Sequence, residues 1–516
     1  MLQNEALDIL KMGHNVYLTG AAGSGKTFAL NQYIKYLREN NISVGVTAST
    51  GIAATHMNGM TIHSWAGLGA GDTIDIDSIL TRPTLKKRML ETKVLIIDEV
   101  SMLDGNILDA VDAITRAFKD KTKPFGGLQV VLSGDLFQLP PVTKSGEPFF
   151  IFKSDAWKAM GLKICYLEEQ HRQDDSSLLN ILNAIRANDV DETHFEELSE
   201  RMKPAPKDED IIKLYTHNAH VDDINTAELK KIKGKTTSYI MATHGQKNAV
   251  ESLIKRCLAP EQLQLKVGAE VMFVANNPTK DFYNGTLGKV LEFNDAGQPV
   301  VQTRHKRITV EPHSWKTEDG DKTIAEVEQL PLRLAWAITI HKSQGMSLDA
   351  AEVDLSKSFE PGMGYVALSR VRSIEGLYIK GINNMAMVVN ELIIDFDAQL
   401  KARSAQAVAG LKTISKKTMD QYHQTVRKAL QSDEDKLLAD YDEAVFEKLK
   451  QWRTKQADKQ SVPAYVILPD KTLKLIAAIL PRDKQALARI SGIGTVKLEK
   501  YSADILTVIE STQPYK

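Results

Sequence analysis

A glycine-rich segment that ends in lysine and threonine is the clearest chemical pattern in the chain. Residues 20–27 read GAAGSGKT and match G-x-x-x-x-G-K-[ST] between an apolar run and a helical pattern. Backbone N–H groups of such a loop turn inward around phosphate oxygens, and the dipole of the following helix adds positive potential. We therefore expect a triphosphate site formed by these residues: Gly20, Ala21, Ala22, Gly23, Ser24, Gly25, Lys26 and Thr27. Lys26 is predicted to bridge the β- and γ-phosphates, and Thr27 to hold Mg²⁺ through its hydroxyl.

Two carboxylates follow a short apolar run further along the chain. Residues 94–97 (VLII) read as a buried strand, and Asp98 and Glu99 follow directly. Strands of an α/β sheet deliver residues at their carboxyl ends to the ligand site, so both acids are expected beside the glycine-rich loop. Asp98 is predicted to complete the Mg²⁺ site, and Glu99 to orient or deprotonate the attacking water. Together with the loop, these acids predict hydrolysis of the triphosphate.

Three further polar side chains occupy settings that suit contact with a γ-phosphate. Gln138 follows another apolar run, within GDLFQLPPV, where it can sense the γ-phosphate while the neighbouring loop contacts another ligand. Arg172 ends LEEQHR and Arg370 ends YVALSR, either after a strand pattern or on a second α/β unit. Phosphoryl transfer needs cations on the developing negative charge, and in a two-lobed motor the opposite lobe can supply them. We therefore predict that Arg172 and Arg370 complete the catalytic site.

The elements that must hold these residues are those of a doubly wound α/β sheet. Four apolar runs read as buried parallel strands with helical patterns between them: 16–19, 44–47, 94–97 and 130–133. A second α/β pattern begins near 211–215 and resumes at 334–338. Between its two parts, short strand-like runs broken by turn residues such as Asn284-Gly285 predict a small β insertion.

Composition bounds the class of protein without identifying a substrate. At 516 residues the chain is expected to hold three or four folding units. Its 65 Lys and Arg against 66 Asp and Glu neither favour nor exclude nucleic acid, because local basic clusters suffice for binding. Cys165 and Cys257 are too few for a disulfide scaffold and lack the spacing of a metal site. No membrane span and no signal peptide is apparent, so a cytoplasmic location without a membrane partner is expected.

Seven motifs together resemble the petite-integration-frequency (Pif) family of superfamily 1B DNA helicases. In chain order they are GAAGSGKT (20–27), VTASTGIAA (46–54), GMTIHSWAGLG (59–69), VLIIDEVSMLDG (94–105), KPFGGLQVVLSGDLFQLPPV (123–142), AITIHKSQGMSLD (337–349) and GYVALSRVRS (364–373). They follow the family's order and spacing over roughly residues 1 to 390. Single motifs recur across superfamily 1, whereas the run from KPFGG to LPPV and the pairing of HKSQG with YVALSR are far more specific.

The resemblance implies an ATP-dependent DNA helicase that moves 5′→3′ by closing its lobes on ATP and reopening them after hydrolysis. It implies two RecA-like P-loop NTPase lobes with ATP and Mg²⁺ between them and single-stranded DNA across their top. Gln3 fits the family's adenine-reading Q motif, and Gln344 and Gly345 fall in motif V, near the γ-phosphate. The expected partners are single-stranded DNA and its junctions with duplex. A monomer in solution, in the nucleoid of a bacterium, is also expected.

The same resemblance assigns DNA contacts to motif positions in both lobes. These residues are Thr47, Ser49 and Gly51 in motif Ia, His63 and Trp65 after it, Pro140 in a stiff rim, His217 and Asn218, and Thr339, His341 and Lys342. Hydroxyl and backbone N–H groups suit phosphate oxygens, and a flat ring at Trp65 suits stacking on a base. For Trp65 a core aromatic, and for His341 a structural histidine, stay as alternatives.

The family's architecture divides the chain into four predicted parts. They are lobe 1A at 1–165 with a 1B wedge at about 66–92, lobe 2A at 166–390 with an SH3-like 2B insertion at about 235–330, a helical linker at 391–438, and a C-terminal all-α bundle at 439–516. The bundle resembles the helicase-and-RNase-D C-terminal (HRDC) domain through FEKLKQWR (446–453), VPAYVI (462–467) and SGIG (491–494). That resemblance implies binding of nucleic acid or of a protein partner, without catalysis. A purely structural bundle with solvated basic residues is the alternative.

Two other functions stay open from the sequence. One is a motor with another task, either an RNA-directed superfamily 1 helicase or a translocase that does not unwind duplex. The other is a P-loop ATPase switch or scaffold in which ATP only regulates partner binding. The switch is less consistent with the sequence, because such a protein does not need a second lobe to complete hydrolysis. The residues that indicate this completion are Arg172, Arg370 and Gln138.

Overall fold

The apolar runs predicted as strands lie side by side in one parallel sheet. Its six strands are β1 (Val16–Gly20), β2 (Val44–Ala48), β3 (Met60–Thr61), β4 (Val94–Asp98), β5 (Gln129–Ser133) and β6 (Lys163–Leu167). The order across the sheet is β3-β2-β4-β5-β1-β6, and every neighbouring pair is parallel. Strands β1, β4 and β5 are buried along their whole length, which explains their continuous apolar sequences. The parallel strands predicted in the first part of the chain are therefore confirmed.

Helices cover this sheet and complete lobe 1, the name used below for the six-stranded sheet and its helices. They are α1 (Gln3–Lys11), α2 (Lys26–Glu39), α3 (Gly51–His56), α4 (Ile62–Ala66), α5 (Ile76–Leu80), α6 (Pro83–Glu91), α7 (Gly105–Phe118) and α8 (Asp155–Ala159). Short 3₁₀ turns occupy Val100–Met102, Pro124–Gly127 and Ile151–Lys153. The segment predicted as a wedge carries α5 and α6, and on α6 Arg88 donates to the carbonyl oxygens of Ser64 and Trp65 at 3.2 and 3.1 Å.

A second parallel sheet forms the centre of lobe 2. Its strands are β7 (Ile212–Tyr215), β8 (Ala337–Thr339), β9 (Ala351–Leu355) and β10 (Leu377–Ile382), in the order β8-β7-β9-β10. The accompanying helices are α9 (Ser176–Ala187), α10 (Glu192–Ser199), α11 (Asn218–Lys231), α12 (Ile340–Ser343), α13 (Met363–Leu368) and α14 (Glu391–Lys412), with 3₁₀ turns at Ile374–Gly376 and Asn384–Met387. Although α14 falls in the predicted linker, its Arg403 donates to the Leu162 carbonyl oxygen at 2.8 Å.

The β insertion separates α11 from β8 and forms its own apolar core. A five-stranded antiparallel sheet contains Arg307–Thr309, Pro299–Thr303, Leu287–Phe293, Glu270–Phe273 and Leu332–Leu334, in that order. Two smaller sheets and a helix complete it: Thr237–Ile240 with Gln262–Leu265; Ala242–Gly245, His313–Asp319 and Lys322–Gln329; and Lys247–Arg256. Of the predicted Asn284-Gly285 turn, Gly285 has a φ of +93°, and Asn284 lies outside the described residues.

The C-terminal part of the chain is helical. The structure, a computed structural model, describes all residues except 58, 69–75, 142–146, 171–174, 207–210, 276, 278, 281, 283–284, 304–305, 320–321, 432–440, 461, 489, 491 and 513–516. One compact unit is Met1–Tyr36 with Val44–Asp420, and the other is Leu37–Ser43 with Gln421–Lys516. The C-terminal helices are Lys416–Leu430, Glu443–Gln460, Ala464–Ile467, Asp470–Ile479, Lys484–Ala488 and Thr495–Thr512. Val445, Leu449, Leu473 and Ile505 lie in their shared apolar core. No helix among the described residues has the length and apolar character of a membrane span.

The predicted fold class is confirmed by these elements: two RecA-like α/β lobes, a β insertion and a C-terminal helical bundle.

Candidate functional site

The glycine-rich loop lies between the end of β1 and the start of α2, as its sequence predicts. Gly20, Gly23 and Gly25 have φ values of +146°, +87° and +84°, which residues with a side chain rarely adopt. A Cβ on Gly20 would also approach the Leu167 carbonyl oxygen to 2.5 Å. The three glycines therefore let the backbone turn around a small ligand at the amino end of α2.

A cleft of about 450 Å³ opens over this loop and is lined by both lobes. Its lining residues are Ala22, Gly23, Gly25, Lys26, Thr27, Glu99, Gln138, Gly345, Ser347, Arg370 and Arg372. The Lys26 ammonium donates to the carbonyl oxygens of Gly20 and Ala21 at 2.9 and 3.0 Å, so it lies against the loop itself. Ser24 is buried within the loop. Gln3 does not line the cleft; it begins α1, and its backbone N–H donates to Glu169 at 3.4 Å.

Asp98 and Glu99 stand at the carboxyl end of β4, beside the cleft. Burial, and then the charge of Glu99, raise the pKa of Asp98 to about 6, against the opposing effect of Lys26. Glu99 has a φ of +52°, a left-handed conformation that costs a non-glycine residue about 1 kcal/mol or more. The Ser49 hydroxyl donates to the Glu99 carbonyl oxygen at 2.6 Å and holds this turn. Backbone strain of this kind is characteristic of functional sites.

The residues around Asp98 fit a divalent cation that arrives with a nucleotide. Burial and a like charge disfavour the ionised Asp98 carboxylate, and a bound cation would relieve both effects. Thr27 is exposed in the cleft with its hydroxyl available as an oxygen ligand. Within the described ranges, no group of three or more His, Cys, Asp or Glu side chains could hold a metal ion. A Mg²⁺ ion here would therefore need phosphate oxygens and water as its other ligands.

Gln344 of lobe 2 connects the two polar residues of lobe 1 that the sequence assigns to hydrolysis. Its Nε2 donates to Glu99 Oε2 at 3.2 Å and to Gln138 Oε1 at 3.1 Å. Gln344 and Gln138 are 7% and 5% exposed, so these bonds are largely shielded from water. The Gln344 Oε1 is buried and has no hydrogen-bonding partner among the described residues. An acceptor of this kind, next to a carboxylate, is suited to the O–H of a water molecule.

Two arginines of lobe 2 line the cleft. Arg370 is 1% exposed and donates to the Val366 carbonyl oxygen and the Ser369 hydroxyl, both at 2.8 Å. Arg372, which the sequence did not single out, is exposed and pairs with Asp349 at 3.3 Å. Its place two residues after Arg370 in the same motif was the available signal. The predicted Arg172 lies outside the described residues.

Four of the predicted DNA contacts have buried side chains in this structure. Thr47 is fully buried in β2, and its hydroxyl donates to the Ile96 carbonyl oxygen at 2.6 Å. Trp65 is 2% exposed in the apolar core of lobe 1, which supports the alternative of a core aromatic. Pro140 is buried in the loop after β5. Thr339 is 2% exposed and caps α12 by accepting the Lys342 N–H at 3.3 Å.

The other predicted DNA contacts in lobe 1 are half-buried. The Ser49 hydroxyl donates to the Glu99 carbonyl oxygen, and Gly51 begins α3. His63 lies on α4, where burial lowers its pKa. These three residues keep a place near the carboxyl end of the sheet, but none has an exposed side chain.

In lobe 2 the predicted contacts follow two neighbouring strands, and an aromatic that was not predicted follows a third. His217 is exposed after β7, and Asn218 begins α11, although its side chain is not described. His341 and Lys342 are half-buried on α12, after β8, and burial lowers the pKa of each. Phe359 follows β9, is 55% exposed, and its ring lies 5.0 Å from that of His217. Phe359 was not predicted as a contact, although an aromatic in the polar loop SKSFEPG was a usable signal.

Comparisons with known proteins match three parts of the chain to described families. The sequence pattern of the PIF1-like helicase family matches residues 3–192, that of the DNA helicase Pif1 2B domain matches 249–293, and that of the HRDC domain matches 442–509. The chain is 41% identical over 492 residues to the ATP-dependent DNA helicase Pif1 of a Psychrobacter species, covering 82% of this chain and 74% of that protein.

Two solved structures show the same architecture. The crystal structure of the Candida albicans Pif1 helicase has a TM-score of 0.69 and 35% identity, covering 77% of this chain and 98% of that one. The Bacteroides Pif1 helicase in complex with ADP-AlF3 and ssDNA has a TM-score of 0.60 and 33% identity, covering 78% and 96%. The resemblance proposed from the motifs is therefore confirmed. The chain belongs to the PIF1-like helicase family.

Proposed function

We propose that this chain is an ATP-dependent DNA helicase that moves 5′→3′ on single-stranded DNA and separates duplex ahead of it. Membership of the PIF1-like helicase family supports ATP hydrolysis and DNA as the substrates. The observation that carries the proposal is the bonding of Gln344 to both Glu99 and Gln138, because it joins the hydrolytic residues of lobe 1 to lobe 2. A motor needs such a connection, since hydrolysis in one place must move the other lobe.

The cleft residues divide the work of hydrolysis between them. Lys26 binds the β- and γ-phosphates. Thr27 and Asp98 would hold Mg²⁺, which would supply positive charge to the phosphate oxygens. Glu99 takes one proton of the attacking water, and the other O–H of that water donates to Gln344 Oε1, which has no hydrogen-bonding partner among the residues that the structure describes. Arg370, with Arg172, stabilises the charge that develops on the γ-phosphate. Gly20, Ala21, Ala22, Gly23, Ser24 and Gly25 form the backbone cradle, Gly345 borders it, and Gln3 contacts adenine.

Closure and reopening of the lobes follow from the same contacts. Loss of the γ-phosphate changes the surroundings of Glu99 and Gln138, and both are bonded to Gln344. Gln344 directly follows α12, which carries His341 and Lys342 at the DNA-facing edge of lobe 2. A small shift at the cleft therefore reaches the DNA contacts along one short helix.

The DNA path crosses the carboxyl ends of β8, β7 and β9. These strands are neighbours in the lobe 2 sheet, so the residues that follow them share one edge. Lys342 supplies positive charge there, and the exposed rings of His217 and Phe359 supply flat surfaces for bases. In lobe 1, Ser49, Gly51 and His63 lie near the matching edge.

Replacing Phe359 by alanine should weaken binding of single-stranded DNA by about fivefold or more. Stacking on an aromatic side chain is worth about 1–3 kcal/mol per base, and the alanine variant loses that surface. Fluorescence anisotropy of a labelled oligonucleotide at one salt concentration measures the Kd, since phosphate contacts make the affinity salt-dependent. Phe195→Ala is the matched control, because Phe195 is also exposed but lies on α10. Equal Kd values for the two variants would exclude base stacking at Phe359.

Partial duplexes with a single-stranded tail test the proposed direction. We expect strand separation of a duplex with a 5′ tail, in the presence of ATP and Mg²⁺, and none of the same duplex with a 3′ tail. Unwinding of the 3′-tailed substrate alone would contradict the proposal. ATP hydrolysis stimulated equally by RNA would indicate an RNA-directed enzyme, and stimulation by DNA without strand separation would indicate a translocase that does not unwind.

The C-terminal helices fit an accessory binding role. Lys455, Lys459 and Lys484 are exposed there, and the helix Thr495–Thr512 begins directly after Gly494. We propose that this bundle adds contacts to DNA phosphates or to a protein partner, while the enzyme works as a monomer on the DNA of a bacterial nucleoid.

A further inference from the structure

A cluster of ionised and hydroxyl side chains is buried where lobe 1 meets lobe 2. Its members are Asp135, Tyr166, Arg186, Tyr365 and Asp397, named below the Arg186 cluster, and each is 8% exposed or less. They come from the loop after β5, from β6, and from α9, α13 and α14. Buried charges are costly unless they are paired, so five separate elements have to meet with their polar groups matched.

Arg186 is the centre of the cluster. Its Nη1 donates to both carboxylate oxygens of Asp135 at 2.8 Å and to the Tyr365 hydroxyl at 2.9 Å. Its Nη2 donates to the Tyr166 hydroxyl at 2.8 Å. Burial opposes the ionised form of Asp135, but the charges of Arg186 and Lys26 hold the pKa of Asp135 below its usual value. The cluster is therefore an ionised and well-bonded unit, and its geometry is narrowly defined.

Tyr365 extends this unit to the glycine-rich loop. Its hydroxyl donates to Asp135 Oδ2 at 2.8 Å and accepts the backbone N–H of Ala22 at 2.9 Å. With the bond from Arg186, the one donor and both acceptor positions of the hydroxyl are used. A backbone amide of the phosphate loop in lobe 1 is thus held by a side chain of lobe 2, and Ala22 itself lines the cleft.

The same unit touches the loop that carries Gln138. The Arg186 guanidinium lies 4.1 Å from the centre of the Phe137 ring. Phe137 directly precedes Gln138 in the sequence. Gly362, which precedes α13, packs so closely that a Cβ there would meet the Phe137 carbonyl oxygen at 2.7 Å. A change in the position of α13 therefore shifts two groups, the backbone amide of Ala22 and the loop beside Gln138.

We propose that Tyr365 is a positioning residue for the phosphate loop, and that through its bond to Ala22 the affinity for ATP depends on the position of lobe 2. The inference rests on the proposed function, since it requires ATP in this cleft. Without the Tyr365 hydroxyl, the Ala22 amide loses its acceptor and the loop is less well ordered before nucleotide binds. The binding free energy must then order the loop, so affinity falls.

Tyr365→Phe tests this role against Tyr166→Phe as the matched control. Both substitutions remove one buried hydroxyl that accepts a bond from Arg186 and donates to an aspartate, but only Tyr365 contacts the phosphate loop. Both keep the ring, so we expect folded proteins, and the thermal unfolding midpoint of each is measured in parallel. Nucleotide affinity is measured with a fluorescent, non-hydrolysable ATP analogue and Mg²⁺, and KM and kcat with ATP.

For Tyr365→Phe we expect the Kd of the analogue and the KM for ATP to rise about fivefold, the equivalent of one hydrogen bond. The kcat is expected to change less than the KM, because the group acts through the loop and does not touch the reacting atoms. Tyr166→Phe should lower the unfolding midpoint similarly and leave the Kd unchanged. An equal rise in Kd for both variants, or no rise for Tyr365→Phe, would overturn the inference. Failure of the unaltered chain to bind the analogue would instead contradict the proposed function itself.

Discussion

Replacing Lys26 by alanine is expected to abolish ATP hydrolysis and DNA unwinding together, while binding of single-stranded DNA stays within about twofold. The Lys26 ammonium lies in the cleft, bonded to the Gly20 and Ala21 carbonyl oxygens, and is the cation that a γ-phosphate would meet at the glycine-rich loop. Loss of a preorganised charge at the site of phosphoryl transfer lowers turnover by about a hundredfold or more. Steady-state ATPase, strand separation and oligonucleotide anisotropy measure the three properties.

Two companion variants separate the role of Lys26 in catalysis from a role in folding. Lys26 also opposes the raised pKa of Asp98, so its loss could disturb the buried carboxylates as well as the phosphate site. Lys26→Arg keeps the positive charge but replaces a compact ammonium with a planar group, so we expect a folded protein that remains inactive. Lys121→Ala removes an exposed lysine and is expected to behave as the unaltered chain. Unwinding by the Lys26→Ala protein would contradict the function built on this site.

Replacing Glu99 by glutamine is expected to lower kcat for ATP hydrolysis by about 10²- to 10⁴-fold with nucleotide still bound. The amide keeps the size of the side chain but cannot take a proton from the attacking water, and general base catalysis is worth about this factor. The change also removes the like charge beside Asp98, so the pKa of Asp98 should fall and its affinity for Mg²⁺ should not weaken. Single-turnover hydrolysis and binding of the fluorescent analogue measure the two effects separately.

Glu91→Gln is the matched control for Glu99→Gln, because Glu91 is an exposed glutamate on α6. It should leave both hydrolysis and binding unchanged. If Glu99→Gln hydrolysed ATP within tenfold of the unaltered rate, Glu99 would not be the base. If the Glu99→Gln protein failed to bind nucleotide, Glu99 would act through structure or charge, and its role as the base for the attacking water would have to be withdrawn.

The phosphate loop was predictable from the sequence because its chemistry is local. Gly20, Gly23 and Gly25 set the path of a few consecutive residues, and their positive φ values follow from the absence of a side chain. The apolar runs before the loop and before Asp98 are buried strands, so the carboxyl ends of β1 and β4 meet at one edge. Short-range backbone geometry and parallel pairing therefore suffice to place Lys26 and the two carboxylates.

The exposure of the predicted DNA contacts was not predictable from the sequence, because burial is decided by packing across elements. Thr47 and Ser49 belong to one motif, yet the Thr47 hydroxyl is buried against the Ile96 carbonyl oxygen of β4, while that of Ser49 donates to the Glu99 carbonyl oxygen. Trp65 is as compatible with a DNA surface as with a core, and the contacts of α4 with the sheet place it in the core. Phe359 was not predicted because its exposure likewise depends on the tertiary arrangement of the loop after β9.

What the sequence by itself determined is the identity of the reaction site: a phosphate loop, two carboxylates and a family of motors, all carried by short motifs whose residues are neighbours in the chain. The tertiary structure decided how that site is connected. Gln344 reaches Glu99 across 245 positions of sequence, and Tyr365 reaches Ala22 across 343. Such pairs arise only when two sheets pack together, because no periodicity or local spacing relates residues so far apart. The Arg186 cluster was invisible for the same reason, since its charges are matched only once five elements have met.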